Sequence, residues 1–155
     1  MSGLTDFSTK KTRAEEFDIL KQALPPEYAT IDSVREYARG IFRNQAKKKI
    51  RRFRRDYQTL DEMVPELFGL RDYKELKLEL DDNSRPLNHR LVSRLTLDLC
   101  PLTKHNSEAK LRKICLQLYG EEHLERLTNP PKGHPRASYG FLVEHRIKYL
   151  LCSSN

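Results

Sequence analysis

The chain is expected to be all-α: a compact bundle of six or seven helices, one of them long and basic. Three observations point there. Apolar residues recur mostly at three- and four-residue spacing along the 155 positions. Capping residues, glycines and prolines punctuate that pattern every few turns. Seven of the nine residues at 47–55 are basic, interrupted by Ile50 and Phe53 alone.

The elements follow in order. Residues 1–11 are polar and lack apolar periodicity, which predicts a flexible N-terminal arm, with 12–155 as a single helical domain and a candidate sub-boundary at 81–86. The "TRAE" of residues 12–15 fits a capping box, opening a helix with Phe17, Leu20 and Leu24 on one face. Pro25 and Pro26 end it. A second helix is expected from residues 30–32 to about Tyr57. Its early apolar edge (Val34, Tyr37, Ala38, Ile41) is rotated from the later one (Ala46, Ile50, Phe53, Tyr57), so a bend near Gly40 or a change of packing partner is anticipated. A second capping-box pattern, "TLDE" at 59–62, opens a short helix complicated by Pro65. Leu70, Tyr73, Leu76 and Leu80 favour a helix over the strand that Leu76, Leu78 and Leu80 would allow.

"DDNSRP", at 81–86, is a turn or linker. Leu87, Leu91, Leu95 and Leu99 then recur at strict four-residue spacing, predicting one helix stopped by Pro101. Ser107 caps the next, whose stripe of Leu111, Ile114, Cys115 and Leu118 ends at Gly120. A short helix over 121–127, a 13-residue loop "TNPPKGHPRASYG" and a last helix at about 138–151 complete the chain. That last helix carries Leu142, Val143, Ile147, Leu150 and Leu151.

Charge is distributed unevenly. Residues 35–55 hold ten basic side chains against Glu36, a local +9, whereas the whole chain is +7, so the remainder sums to −2. Localised charge of this kind suits a polyanion better than it suits general solubility. At 100° per residue, Arg43, Lys47, Arg51 and Arg54 form a stripe beside the edge of Ala46, Ile50, Phe53 and Tyr57, and Lys48 and Arg55 widen the arc. Like charges one turn apart repel, so a phosphate backbone with releasable counterions is the natural ligand. The candidate nucleic-acid contacts are Arg43, Lys47, Lys48, Lys49, Arg51, Arg52, Arg54 and Arg55, with Lys132 and Arg136 of the long loop, beside His134, as a second contact. Four arginines in the run favour RNA over DNA, because guanidinium groups stack on exposed bases as well as bridging phosphates.

The expected function is therefore a small, non-enzymatic, RNA-preferring regulatory or accessory protein. The alternative is a helical protein–protein adaptor in which helices 87–99 and 108–119 present a groove and "KKKIRRFRR" is only an import signal read by a receptor. Other patterns are weaker. Residues 59–80 outline a helix-turn-helix, but Pro65 interrupts its first helix and Asp72, Glu75 and Glu79 oppose DNA in its second. Cys100, His105, Cys115 and His123 match no compact zinc spacing, and the leucines at 87, 91, 95 and 97 suit a core better than an export signal. No GxSxG, HExxH, CxxC or phosphate-cradling glycine loop occurs, so neither an enzyme, a metal site nor a cofactor is expected.

Three cysteines without close spacing make a poor disulfide framework. No apolar run reaches the roughly 18–20 residues that span a bilayer, and "MSGLTDFSTKKTRAEEF" lacks a secretory apolar core. The expected setting is intracellular and reducing, with no membrane partner: nuclear or nucleolar in a eukaryote or virus, otherwise cytoplasmic.

Overall fold

A computed structural model describes residues 7–53, 86–87, 89–94 and 97–152, with side chains left out of account at 46–53, 90, 91 and 94. Among the described residues all regular structure is helical: α1 (Arg13–Leu20), α2 (Ile31–Phe53), α3 (His89–Arg94), α4 (Cys100–Thr103), α5 (Glu108–Tyr119), α6 (Glu121–Thr128) and α7 (Tyr139–Cys152), with 3₁₀ turns at Lys21–Ala23 and Pro26–Tyr28. The all-α expectation holds at that level. The helices expected over 59–80, residues 81–85 of the turn expected at 81–86, and the extension from Arg54 to Tyr57 lie outside the described residues. The chain divides into two compact units, with boundaries at 30/31, 98/99 and 150/151.

The first unit contains the chain up to Thr30 and Leu99–Leu150. Its helices begin where the sequence supplies a cap. The Thr12 hydroxyl accepts from the Glu15 backbone N–H at 3.2 Å while the Glu15 carboxylate accepts from the Thr12 N–H at 2.9 Å. Ser107 caps α5 by accepting from the Lys110 N–H at 3.1 Å. Gly120, at φ 82°, turns the chain between α5 and α6, in a region that a side chain would strain. Leu20, Leu24, Ile114, Cys115, Leu118, Leu124, Leu127, Leu142, Val143 and Ile147 are buried and form the unit's interior. The Asn106 amide joins two turns by donating to the carbonyls of Ala23 and Thr103, each at 2.8 Å.

Two charged side chains share that interior. Glu16 on α1 and Arg146 on α7 are 2 % and 5 % exposed, and Arg146 Nη2 lies 2.6 Å from Glu16 Oε1. Arg146 Nη1 also donates to the Phe7 carbonyl at 3.2 Å, and the Thr9 hydroxyl donates to Glu16. The Tyr119 hydroxyl donates to the same Phe7 carbonyl at 2.9 Å. Within the segment expected as an arm, Phe7 and Thr9 are thus bonded to α1, α5 and α7. Arg13 Nη2 donates to the Leu150 carbonyl at 2.9 Å, one of the α7 C-terminal acceptors that lack a helical donor.

The second unit contains Ile31–Asp98 and residues 151–154. Helix α2 runs without interruption past Gly40. Its buried positions are Val34, Arg35, Ala38, Arg39 and Phe42, while Tyr37 and Ile41 of the expected edge are half-buried. The buried stripe is rotated toward the arginines, whose methylene stems pack while the Arg35 guanidinium reaches acceptors. Arg35 shows this: Nη1 lies 3.3 Å from Asp32, and Nε donates to the Leu151 carbonyl at 3.4 Å. The same carbonyl accepts the Leu87 N–H at 2.7 Å.

The helix expected over the four leucines is corrected. Among the described residues of this stretch only His89–Arg94 is helical, Leu97 N–H bonds to the Val92 carbonyl at 3.1 Å, and Leu97 and Leu99 are non-helical and buried. Pro101 is no terminator: it lies in the first turn of α4, where its missing N–H costs nothing.

Removing one member of the buried pair leaves the other charged and unpaired. Glu16→Leu or Arg146→Met alone is expected to cost about 3–5 kcal/mol, and the double variant markedly less than the sum. Urea unfolding followed by circular dichroism measures both, and additive single-variant losses would show that the pair is not coupled.

Candidate nucleic-acid interface

The predicted interface residues are carried by different parts of the fold. The α2 backbone continues helically through Lys47, Lys48, Lys49, Arg51 and Arg52, whose side chains lie outside the description, and Arg54 and Arg55 lie beyond the described residues. Of the candidates on α2, Arg43 has a described side chain: it is half-buried and engaged in an interaction within the protein. Burial of Arg35 and Arg39 changes the accounting, since both contribute to the local +9 and neither faces solvent. The net excess that remains is on 43–55, with eight basic residues and no acid, so the rest of the chain sums to −1.

Lys132, His134 and Arg136 are exposed in the loop between α6 and α7. Arg136 Nε donates to the Thr128 carbonyl at 2.9 Å and the Ala137 N–H to that of Leu127 at 3.1 Å, so the loop closes the carbonyl end of α6. The arginine therefore has a local structural bond while the residue remains exposed.

An open groove of about 830 Å³ lies beside residues 8–11 and the α5–α6 corner. Lys10, Lys11 and Arg126 line it together with Glu15, Glu121 and Glu122, so it offers a polyanion no net charge. Hydrogen bonds from Thr12, its backbone N–H first and its hydroxyl second, hold the Glu15 carboxyl below the usual range. Of the four residues that could be imagined as a zinc quartet, Cys115 is buried and bonded through Sγ to the Tyr139 carbonyl at 3.6 Å, and burial pushes its thiol up to about 12. His123 instead meets the Tyr119 ring edge-on at 5.2 Å.

The structure adds residues that sequence reasoning missed. Phe141, His145 and Tyr149 stand one turn apart on α7, and Phe141 and Tyr149 are the exposed large hydrophobics among the described residues, at 45 % and 44 %. The Phe141 and His145 rings stack at 5.5 Å and 20°, and Phe7 meets both edge-on, at 5.5 and 5.2 Å. The Arg146 guanidinium lies 4.2 Å from the Tyr149 ring centroid. Four-residue aromatic spacing was the available signal, masked by the stronger leucine stripe on the same helix. Burial first, then the charges of Arg146 and Lys148, hold the His145 pKa below 6.5.

No protein-family model matches the chain, and no curated protein or solved structure compared with it does either. No described helix is long and apolar enough to cross a membrane.

Because the folded state resists protonating His145, the stability this residue contributes is present above about pH 6.5 and is lost as pH falls through its lowered folded value. The urea midpoint should drop between pH 7.5 and 5, and by less in His145→Gln; equal drops would assign the effect to other groups. At pH 8, iodoacetamide should label exposed Cys100 quickly and Cys115 only after unfolding, as read by mass spectrometry.

Proposed function

We propose that the protein is a non-enzymatic RNA-binding regulatory or accessory factor, a compact helical bundle whose long basic helix contacts phosphates. The observation that carries this reading is the concentration of charge: eight basic residues and no acid over 43–55, on a chain otherwise near neutrality. In this reading Arg43, Lys47, Arg51 and Arg54 form the main stripe, Lys48, Lys49, Arg52 and Arg55 broaden it, and Lys132 and Arg136 contribute a second, weaker contact. Binding through phosphates is weakly sequence-specific and steeply salt-dependent. Four guanidinium groups in the run supply bidentate phosphate contacts and base stacking, which favour RNA with unpaired segments. Nuclear or nucleolar residence, with the same run read by an import receptor, is compatible with it.

The adaptor reading draws less support. Its groove was to be built from leucines of the helices near 87–99 and 108–119, yet Leu87, Leu97, Leu99 and Leu118 are interior residues.

Fluorescence anisotropy with labelled single-stranded RNA, duplex RNA and duplex DNA across a salt series tests the proposal. Affinity should fall by roughly 10³-fold or more between 50 and 200 mM salt if six or more phosphates are engaged. Changing Arg51, Arg52, Arg54 and Arg55 to Glu should abolish binding with helicity preserved. No binding by the intact protein near physiological salt overturns the reading.

A further inference from the structure

Resting on that reading, we propose that the exposed face of α7 bearing Phe141, His145 and Tyr149 is a stacking platform for unpaired nucleobases of single-stranded RNA. The three side chains recur at i, i+4 and i+8, so one face of the helix presents a ring on each of three successive turns. Their positions are fixed before any ligand arrives. Phe141 stacks on His145, and the Phe7 ring braces both from the side. Tyr149 lies against the guanidinium of Arg146, which is held by Glu16 at 2.6 Å and by the Phe7 carbonyl at 3.2 Å. Arg146 Nε is buried without a hydrogen-bond partner, so its plane rests on the aromatic ring rather than on a further acceptor. Arg146 is interior and Tyr149 is 44 % exposed, so the ring has the guanidinium on one side and keeps part of its surface open to solvent.

A ring held in place before binding loses little freedom when a flat base settles on it. The cation beneath Tyr149 draws electron density from the ring, which suits stacking with electron-rich bases. Lys148 supplies a cation for a phosphate beside the rings, and the described surroundings lack the aliphatic side chains of an apolar docking face. Leu142, Val143, Ile147 and Leu150 all face inward, so the exposed side of the helix offers rings and Lys148 rather than aliphatic knobs. The nearby carboxylate, Glu144, accepts from the Thr103 hydroxyl at 3.4 Å and is directed toward α4. Aromatic faces beside a cation stack on any base, which gives affinity for unpaired strands without sequence preference. A duplex, whose bases are already stacked, gains nothing from such a face.

The chain has no tryptophan, so Tyr149→Trp introduces a single reporter. Its emission is titrated with a ten-nucleotide oligoadenylate RNA and with a ten-base-pair RNA duplex, and affinities are compared by anisotropy with those of a Phe141→Leu/Tyr149→Leu variant whose urea midpoint has been checked. The expected result is saturable quenching by the single strand and not by the duplex. The leucine variant should bind the single strand about tenfold or more weakly and the duplex unchanged. Single-strand binding without quenching, or unweakened binding by the leucine variant, overturns the platform while leaving the basic helix as the phosphate contact. Failure of the intact protein to bind either RNA overturns both readings. A tryptophan shift that follows protein concentration without RNA, with dimers in sedimentation, would assign the face to a second copy of the chain and overturn the proposal.

Discussion

Arg146 and Glu16 hold together the end of the chain and its beginning, and the first unit is organised around that contact. An ion pair removed from water is a poor source of stability by itself, because the desolvation of both groups offsets much of their attraction. What it supplies is specificity of arrangement. Arg146 satisfies the Glu16 carboxylate, the Phe7 carbonyl and the π-face of Tyr149 together, and Glu16 also accepts from Thr9. Any repacking of α1 against α7 would leave at least one charge buried without a partner. That penalty is larger than the cost of a misplaced leucine, so the pair selects one packing where apolar contacts alone would tolerate several.

Helix α2 obeys a different constraint. Its first half is anchored by Val34, Ala38 and Phe42, with Arg35 and Arg39 buried among them. Its second half, from 43 onward, stacks cation above cation at i,i+4, which destabilises a helix by a few tenths of a kcal/mol for each pair. Nucleation is the costly step of helix formation and propagation the cheap one. The anchored half supplies the nucleus, and the basic half extends it against its own repulsion. A bound polyanion would cancel that repulsion, so phosphate binding and helix formation would reinforce each other over 43–53.

What the sequence made legible was mostly local. Thr12, Ser107 and Gly120 act within three or four residues of themselves, and each does in the structure what its position implied. Ile114, Cys115 and Leu118 of the α5 stripe are buried with Leu111 half-buried, and the apolar stripe of α7 is buried throughout. Pro101 misled because the same missing N–H that ends a helix is harmless in the first turn of another, and nothing nearby distinguishes the two. Glu16 and Arg146 were invisible because 130 residues separate them, and a charged residue on an amphipathic helix reads as solvated. Arg35 and Arg39 were misread for the same reason. One-dimensional patterns record polarity, and they do not record whether a buried charge has found its partner in the fold.

In the proposed reading, the two groups of basic residues and the aromatic face would divide recognition along physical lines. Phosphate contacts supply affinity and salt dependence but read neither sequence nor strandedness. Stacking rings supply little long-range attraction, yet they discriminate between a base that is free to stack and one that is already paired. A protein with only the first would bind any polyanion, including DNA, and one with only the second would capture its ligand slowly. The pair Glu16–Arg146 links this division back to the fold: the guanidinium that completes the interior of the first unit is the same group that backs Tyr149. The rigidity of the proposed reading surface is thus inherited from the core, and weakening the core contact would loosen the ring before it unfolded the domain.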